Sequence, residues 1–305
     1  MINVGVIGVG YLGRHHARIY SQLEGVQLIG VADPDSGRAA GIAEEYGCGF
    51  YGDYRELLSR VDALSIVTPT TFHHKIAMDC LREGKDLLIE KPITVTVDEA
   101  DELVEAAEKR GRIIQVGHLE RFNPAFEAAR SLVVAPLFIE AERVSPYQGR
   151  GIDVDITLDL MIHDIDLVCS LMGTSPAGMN AAGSSLLTGT IDMAVAWLEF
   201  EGSRQALLKA SRIAPHKSRM LTIHQKDSQI VVDFQAMELR RLRGEGEAIV
   251  AEEIAVEKKE PLKEELRSFI DCVSARRRPL VSAADGREAL MVASKIGERI
   301  RRQIG

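Results

Sequence analysis

Over its first 120 residues the chain repeats one unit: a short run rich in Val, Ile and Leu, a turn, then an amphipathic stretch. This rhythm constrains the fold more than any other feature of the sequence. It predicts strands at 2–8, 26–32, 62–68, 85–90 and 113–116, with helices at 13–23, 36–46, 54–58, 73–83 and 97–110. The strands are apolar almost without interruption, the pattern of a parallel sheet covered on both faces. A doubly wound α/β domain of Rossmann type is therefore expected over 1–120.

Beyond Arg121 the rhythm changes. A strand at 135–144 and a helix at 156–171, with Gly173 just past its end, precede strand-like stretches at 176–182, 190–200, 204–211, 219–224, 228–233 and 248–255. Gly202, Lys226-Asp227 and Gly244-Glu245-Gly246 suit hairpins. Helices at 262–275 and 283–302 close the chain. Successive strands without intervening helices predict a second α/β domain over 121–305, built on a large, predominantly antiparallel open sheet. One face of that sheet buries against helices, and the other is left for substrate or a second subunit. Trp197, in the alternating run 194–200, is assigned to the sheet core or to a subunit interface.

Length and charge narrow the functional classes. A chain of 305 residues suits two domains better than one growing core. No apolar run approaches the roughly 18 residues that cross a membrane, and no basic leader precedes an apolar segment, so a cytoplasmic protein without membrane insertion is expected. A net charge of -8 argues against a general nucleic-acid surface, and the basic runs 240–243 and 276–278 read as solvated faces, with local anion contacts as the alternative. Cys48, Cys80, Cys169 and Cys272 form no CxxC or zinc-like cluster and read as reduced, mostly buried thiols.

The sequence Gly8-Val9-Gly10-Tyr11-Leu12-Gly13 follows the first strand and opens the first helix. Gly8 permits the turn, Gly10 admits a pyrophosphate to the backbone, and Gly13 lets helix and strand approach closely. No side chain caps this helix conventionally, so its N–H groups and dipole are available to an anion. Asp33, at the end of the second strand, can accept from ribose hydroxyls and would repel the extra phosphate of NADP. NAD is the expected cofactor, although Arg38 nearby leaves NADP open. Thr68 and Pro69, beyond the strand at 62–68, are expected to line the dinucleotide, and His73 is either a polar lining group or a helix-start residue.

Two further groupings carry chemistry. Glu90-Lys91-Pro92 places a charged pair directly at a buried strand end, which is costly without a purpose or a partner. Lys91 can donate to a hydroxyl or alkoxide while Glu90 fixes the ammonium or binds a cofactor group; the alternative is a structural salt bridge. Asp159 and His163 are four apart and share a helical face, so the carboxylate can orient the imidazole as an acid or base; the alternative is a helix-surface pair. No HxH or HExxH arrangement is present, and no metal is predicted. Arg121, Asn123, Arg143, Tyr147, Gln148 and Arg150 are substrate-side candidates, since arginine suits a diphosphate; each has packing or a salt bridge as its alternative.

With these motifs in place, the chain resembles the Gfo/Idh/MocA oxidoreductase superfamily along essentially its whole length. The marks are GVGYLG at 8–13, ADP at 32–34, TPTTFHH at 68–74, EKP at 90–92, GHLERFNP at 117–124 and DLMIHDIDL at 159–167. The resemblance implies that Lys91, Asp159 and His163 meet at the cleft, with His163 the proton acceptor and Lys91 on the reacting hydroxyl. It also implies a homo-oligomer, dimer or tetramer, formed through the second-domain sheet. The stretch ERVSPYQGRGIDVDITLDLMIHDIDL departs from the glycine-rich approach of the sugar dehydrogenases. It is similar to the nucleotide-sugar branch that oxidises the 3-hydroxyl of UDP-N-acetylglucosamine, whose product goes to an aminotransferase and on to lipid A. The alternatives are an NAD(P)-dependent dehydrogenase of another sugar, inositol or nucleotide sugar, and a non-enzymatic NAD-binding regulator.

Overall fold

The computed structural model describes residues 1–147, 149 and 154–304. Two compact units emerge, Met1–His118 with Leu262–Arg287, and Leu119–Pro261 with Glu288–Gly305.

In the first unit the elements run β1 (Ile2–Ile7), α1 (Tyr11–Tyr20), β2 (Val26–Ala32), α2 (Ser36–Tyr46), β3 (Gly49–Tyr51), α3 (Arg55–Leu58), β4 (Ala63–Ile66), α4 (His73–Arg82), β5 (Asp86–Glu90), α5 (Val97–Arg110) and β6 (Ile114–Gly117). The six strands form one parallel sheet in the order β3-β2-β1-β4-β5-β6. Strands β4 and β5 are buried along their whole length, which explains their unbroken apolar character. The order reverses at β1 and β4, and such a switch point opens a crevice beyond the carboxyl ends of the strands. Local chemistry sets the helix limits. Asp35 caps α2, Thr96 and Glu99 form a capping box on α5, and Gly47 and Gly111 end these helices in the left-handed conformation.

The second unit contains α6 (Pro124–Arg130), β7 (Phe138–Val144), a π-helical turn (Thr157–Met161) running into α7 (Ile162–Met172), then β8 (Gly178–Ser184), β9 (Met193–Phe200), β10 (Arg204–Ser211), β11 (Ser218–His224), β12 (Ser228–Asp233), β13 (Glu238–Glu245) and β14 (Ala248–Ile254). These eight strands form a sheet in the order β14-β13-β12-β11-β7-β10-β9-β8, antiparallel except where β7 and β10 run together. Alternation decides the faces. Ala194, Ala196, Leu198 and Phe200 of β9 enter a core with Ile139, Leu208, Ile223, Phe126 and Ile296. The opposite face carries Trp197 opposite Leu207, with Phe138 between the rings of Trp197 and His224 at centroid distances of 5.5 and 5.6 Å.

Helices α8 (Pro261–Ala275) and α9 (Ala283–Ile304) follow. The expectation that everything after residue 120 joins the second domain is corrected here: Leu262–Arg287 packs with the first unit. The contacts explain it. Val116 N donates to Val281 O at 3.0 Å, Gln115 Nε2 to Glu265 O at 2.9 Å, and Arg276 binds Asp86 and Gly111 O. Three elements were not anticipated. Strand β3 is three residues long, too short for a pattern, and α6 is a seven-residue helix capped by Asn123. Strand β13 holds the basic run 240–243, which is not a bare solvated face, because Arg241 and Arg243 pair across the ladder with Glu252. The expected helix at 156–171 opens instead with a π turn.

Candidate active site

The turn after β1 is tight enough to require glycine. Gly8 has φ +85°, and a Cβ there would lie 2.7 Å from Val67 O. At Gly13 a Cβ would sit 1.9 Å from Gly8 O, so α1 reaches β1 only without a side chain. Gly10 differs: a Cβ there meets nothing within 4 Å. It is also the N-cap of α1, with no side-chain cap, so no side chain takes up the first-turn N–H groups. Tyr11 is exposed, its ring edge-on to His15 at 5.2 Å, and Leu12 is half-buried.

A cavity of about 770 Å³ opens over this turn. Of the residues expected to hold the cofactor, Gly8, Gly10, Asp33, Thr68 and Pro69 line it. Asp33 is buried; its Oδ2 accepts from Val9 N at 2.9 Å and its Oδ1 from Asp35 N at 2.9 Å. Arg38, half-exposed, approaches the same carboxylate at 3.4 Å. Thr68 Oγ1 is buried with no hydrogen-bond partner. An uncapped helix start, an open Gly10, an acid at the end of β2 and an unsatisfied hydroxyl together fit a dinucleotide. The sequence did not single out Asp53, Tyr54, Arg55 and Lys75, which also line the cavity. Asp53, Tyr54 and Arg55 follow β3, so missing that strand concealed a loop at its carboxyl end.

His73 takes the helix-start alternative: it begins α4 and is not among the residues that line the cavity. It is buried at the start of α4, with Nδ1 2.9 Å from Pro92 O and Nε2 2.8 Å from Thr68 O. Burial lowers its pKa, against the pull of the two carbonyls. It ties the loop after β4 to the loop after β5. Tyr11, Leu12, Gly13, Glu90 and Lys91 also lie outside the wall of this cavity. Glu90 is buried at the end of β5, with Oε1 3.3 Å from His16 Nε2 and Oε2 accepting from Lys91 N at 3.3 Å. Lys91 is half-buried, and its bond to Pro92 is cis.

In the second unit Asp159 lies on the π turn and His163 one turn on, in α7, both half-buried. A π turn adds a residue to the helical repeat and recurs at functional sites. Asp164 and Asp166 are buried and turned to other partners. Those partners are two of the arginines named as substrate-side candidates, here in the salt-bridge role given as their alternative. Arg121 grips Asp166 through Nε at 2.7 Å and Nη2 at 3.3 Å. Arg143 is bidentate on Asp164, with Nη2–Oδ1 2.7 Å, and reaches Glu120 at 2.7 Å. Their exposures are 6% and 3%, so both guanidinium groups lie inside the unit. Burial works against the Arg143 charge, but Asp164 and Glu120 outweigh it and hold its pKa above the usual value. Asn123 caps α6 through Ala125 N at 3.1 Å and donates to Phe234 O at 3.1 Å, again a structural role. Tyr147 is 40% exposed, while Gln148 and Arg150 lie outside the described residues. Arg219, not singled out from sequence, adds a partly exposed cation 3.6 Å from Glu120.

Comparison with known proteins follows the same division. Residues 2–118 match the family described as "Oxidoreductase family, NAD-binding Rossmann fold", and residues 139–231 match the GFO/IDH/MocA C-terminal domain. The chain is 36% identical over 302 residues to a UDP-N-acetylglucosamine 3-dehydrogenase of Acidithiobacillus ferrooxidans, covering 97% of this chain and 96% of that one. It is 28% identical over 306 residues to the scyllo-inositol 2-dehydrogenase (NAD(+)) of Bacillus subtilis, covering 93% and 90%. A solved structure of the Acidithiobacillus ferrooxidans 3-dehydrogenase superposes with a TM-score of 0.95 at 35% identity, over 99% of this chain and 98% of the other.

Proposed function

The chain belongs to the Gfo/Idh/MocA family of NAD-dependent oxidoreductases, and from that premise we propose that it oxidises the 3-hydroxyl of UDP-N-acetylglucosamine to a 3-keto nucleotide sugar. The observation that carries this reading is the likeness, along the length of both chains, to a protein named for that reaction.

Gly8, Gly10 and the free N–H groups of α1 hold the diphosphate of NAD, and Asp33 accepts from its ribose. When bound, the nicotinamide supplies a two-electron acceptor for the hydrogen on the sugar C3. His163 takes the proton of the 3-hydroxyl, Asp159 orients the imidazole, and the Lys91 ammonium donates to the oxygen as charge builds there. No metal is needed for this division of labour.

The test is anaerobic incubation of the purified protein with NAD and a panel of nucleotide sugars, free sugars and inositols, following NADH by absorbance and the new carbonyl by NMR. NADH formation with UDP-N-acetylglucosamine and a carbonyl at C3 is expected. Turnover confined to an inositol or a free sugar overturns the substrate, and NAD binding without any turnover overturns the enzymatic role.

Trp197, Phe138 and Leu207 form an apolar strip on the sheet face away from the core, which supports a homo-oligomer joined through that face. The 3-keto product suits an aminotransferase that installs a 3-amino group, on the route to the amide-linked chains of lipid A. Four free cysteines support a cytoplasmic setting, and among the described residues no helix is long and apolar enough to cross a membrane.

A further inference from the structure

One face of the parallel sheet carries a buried polar row that the reaction scheme does not use. Register sets Ser65 of β4 beside Leu88 of β5 and Gln115 of β6, and, two residues on, Glu90 beside Gly117. Helix α1 brings His16 and Tyr20 to this row, with the Tyr20 hydroxyl 2.8 Å from Ser65 Oγ. Helix α8 brings Glu265, whose backbone carbonyl accepts from Gln115 Nε2 at 2.9 Å. His16, Gln115 and Glu265 are each 0% exposed.

The side chain of Glu265 lacks any donor. Both its oxygens are buried without a hydrogen-bond partner. His16 Nε2 lies 3.3 Å from Glu90 Oε1, off the axis of a hydrogen bond. The Glu90 carboxyl itself is wedged so closely that a Cβ on Gly117 would lie 2.8 Å from it. An ionised carboxylate held dry with no donor is too costly to persist, so Glu265 must keep its proton. Burial first, and the charge of Glu90 second, push its pKa well above the usual carboxylate range. The titratable groups that act on it are Glu90 at the end of β5 and Tyr20 on α1, and Glu90 in turn meets His16 Nε2 and the Lys91 backbone N–H.

We propose that Glu265 is a positioning residue: a neutral carboxylic acid that donates its proton toward Glu90, fixes that carboxylate beside His16 and the Lys91 backbone, and so steadies the lysine of the reaction centre. The last clause rests on the reading that Lys91 acts at the reacting oxygen.

The test compares wild type with Glu265→Gln and Glu265→Leu by thermal unfolding across pH and by turnover. A raised native pKa means that the native state binds more protons than the unfolded chain above the carboxylate range, so wild type loses stability there as pH rises. Glu265→Gln cannot ionise, and its Tm advantage is expected to grow from near zero at about pH 4 to a clear gain at about pH 8. Glu265→Leu is expected to lose roughly tenfold to a hundredfold in kcat with little change in KM for the nucleotide sugar, and Glu265→Gln to rescue most of that loss. A Tm penalty for Glu265→Gln near neutral pH shows an ionised Glu265 and overturns the proposal, as does wild-type kcat in Glu265→Leu. Full turnover in Lys91→Met overturns the Lys91 clause and the reaction scheme, while the sign of the pH-dependent Tm difference still judges the proton on Glu265.

Discussion

Arginine 143 shows how far a side chain's chemistry underdetermines its role. Five donors in a rigid fork suit a diphosphate and a carboxylate pair equally well. Here the fork is filled by Asp164 and Glu120 at 2.7 Å each. Breaking such a buried pair strands its partners, so Arg143→Ala should cost about 3–5 kcal/mol, read as a lower urea midpoint. His163 is expected to behave in the opposite way. His163→Asn should lower kcat roughly 100- to 10,000-fold while NAD binding, followed by fluorescence titration, stays near wild type. Full turnover in that variant would remove the assigned base. The pair at 159 and 163 was visible as a spacing, whereas the buried partners of the flanking aspartates were not, since those partners come from residues 121 and 143.

The first strand, turn and helix show the reverse, an element whose job is written in its sequence. The three glycines of the turn make different demands, and variants separate them. Gly13→Ala forces a Cβ to 1.9 Å from Gly8 O, so α1 must move, and both thermal stability and NAD affinity should fall. Gly10→Val adds bulk where nothing lies within 4 Å, so the fold should hold while NAD affinity drops about tenfold or more, about 1.4 kcal/mol. A Gly10→Val protein that binds NAD as wild type does would place the diphosphate elsewhere. Elements without such signals were missed for physical reasons. Strand β3 has three residues, β13 alternates around paired arginines, and the π turn changes a helical repeat that hydrophobic spacing reads only coarsely.

The chain is not cut in two at residue 120, because α8 returns to the first unit. A fragment ending at residue 120 loses the partners of Gln115, Val116 and Asp86, and should melt without a cooperative transition, as followed by circular dichroism. A cooperative, NAD-binding fragment would show those contacts to be dispensable. The sheet face bearing Trp197 and Phe138 makes the other prediction: Trp197→Arg should keep native circular dichroism and shift the sedimentation coefficient toward the monomer.

What the sequence determined alone is what depends on near neighbours: the strand–turn–helix rhythm, the glycine turn and the alternation of the second sheet. Periodicity and backbone freedom act over a few residues, so they can be read in order along the chain. Tertiary structure decided the rest. It gave Arg121 and Arg143 to buried carboxylates, set His73 between two carbonyls, and brought the Glu265 backbone from the far end of the sequence to Gln115. Charge and hydrogen bonding act between whatever groups the fold makes adjacent, and residues 115 and 265 have no adjacency until it does.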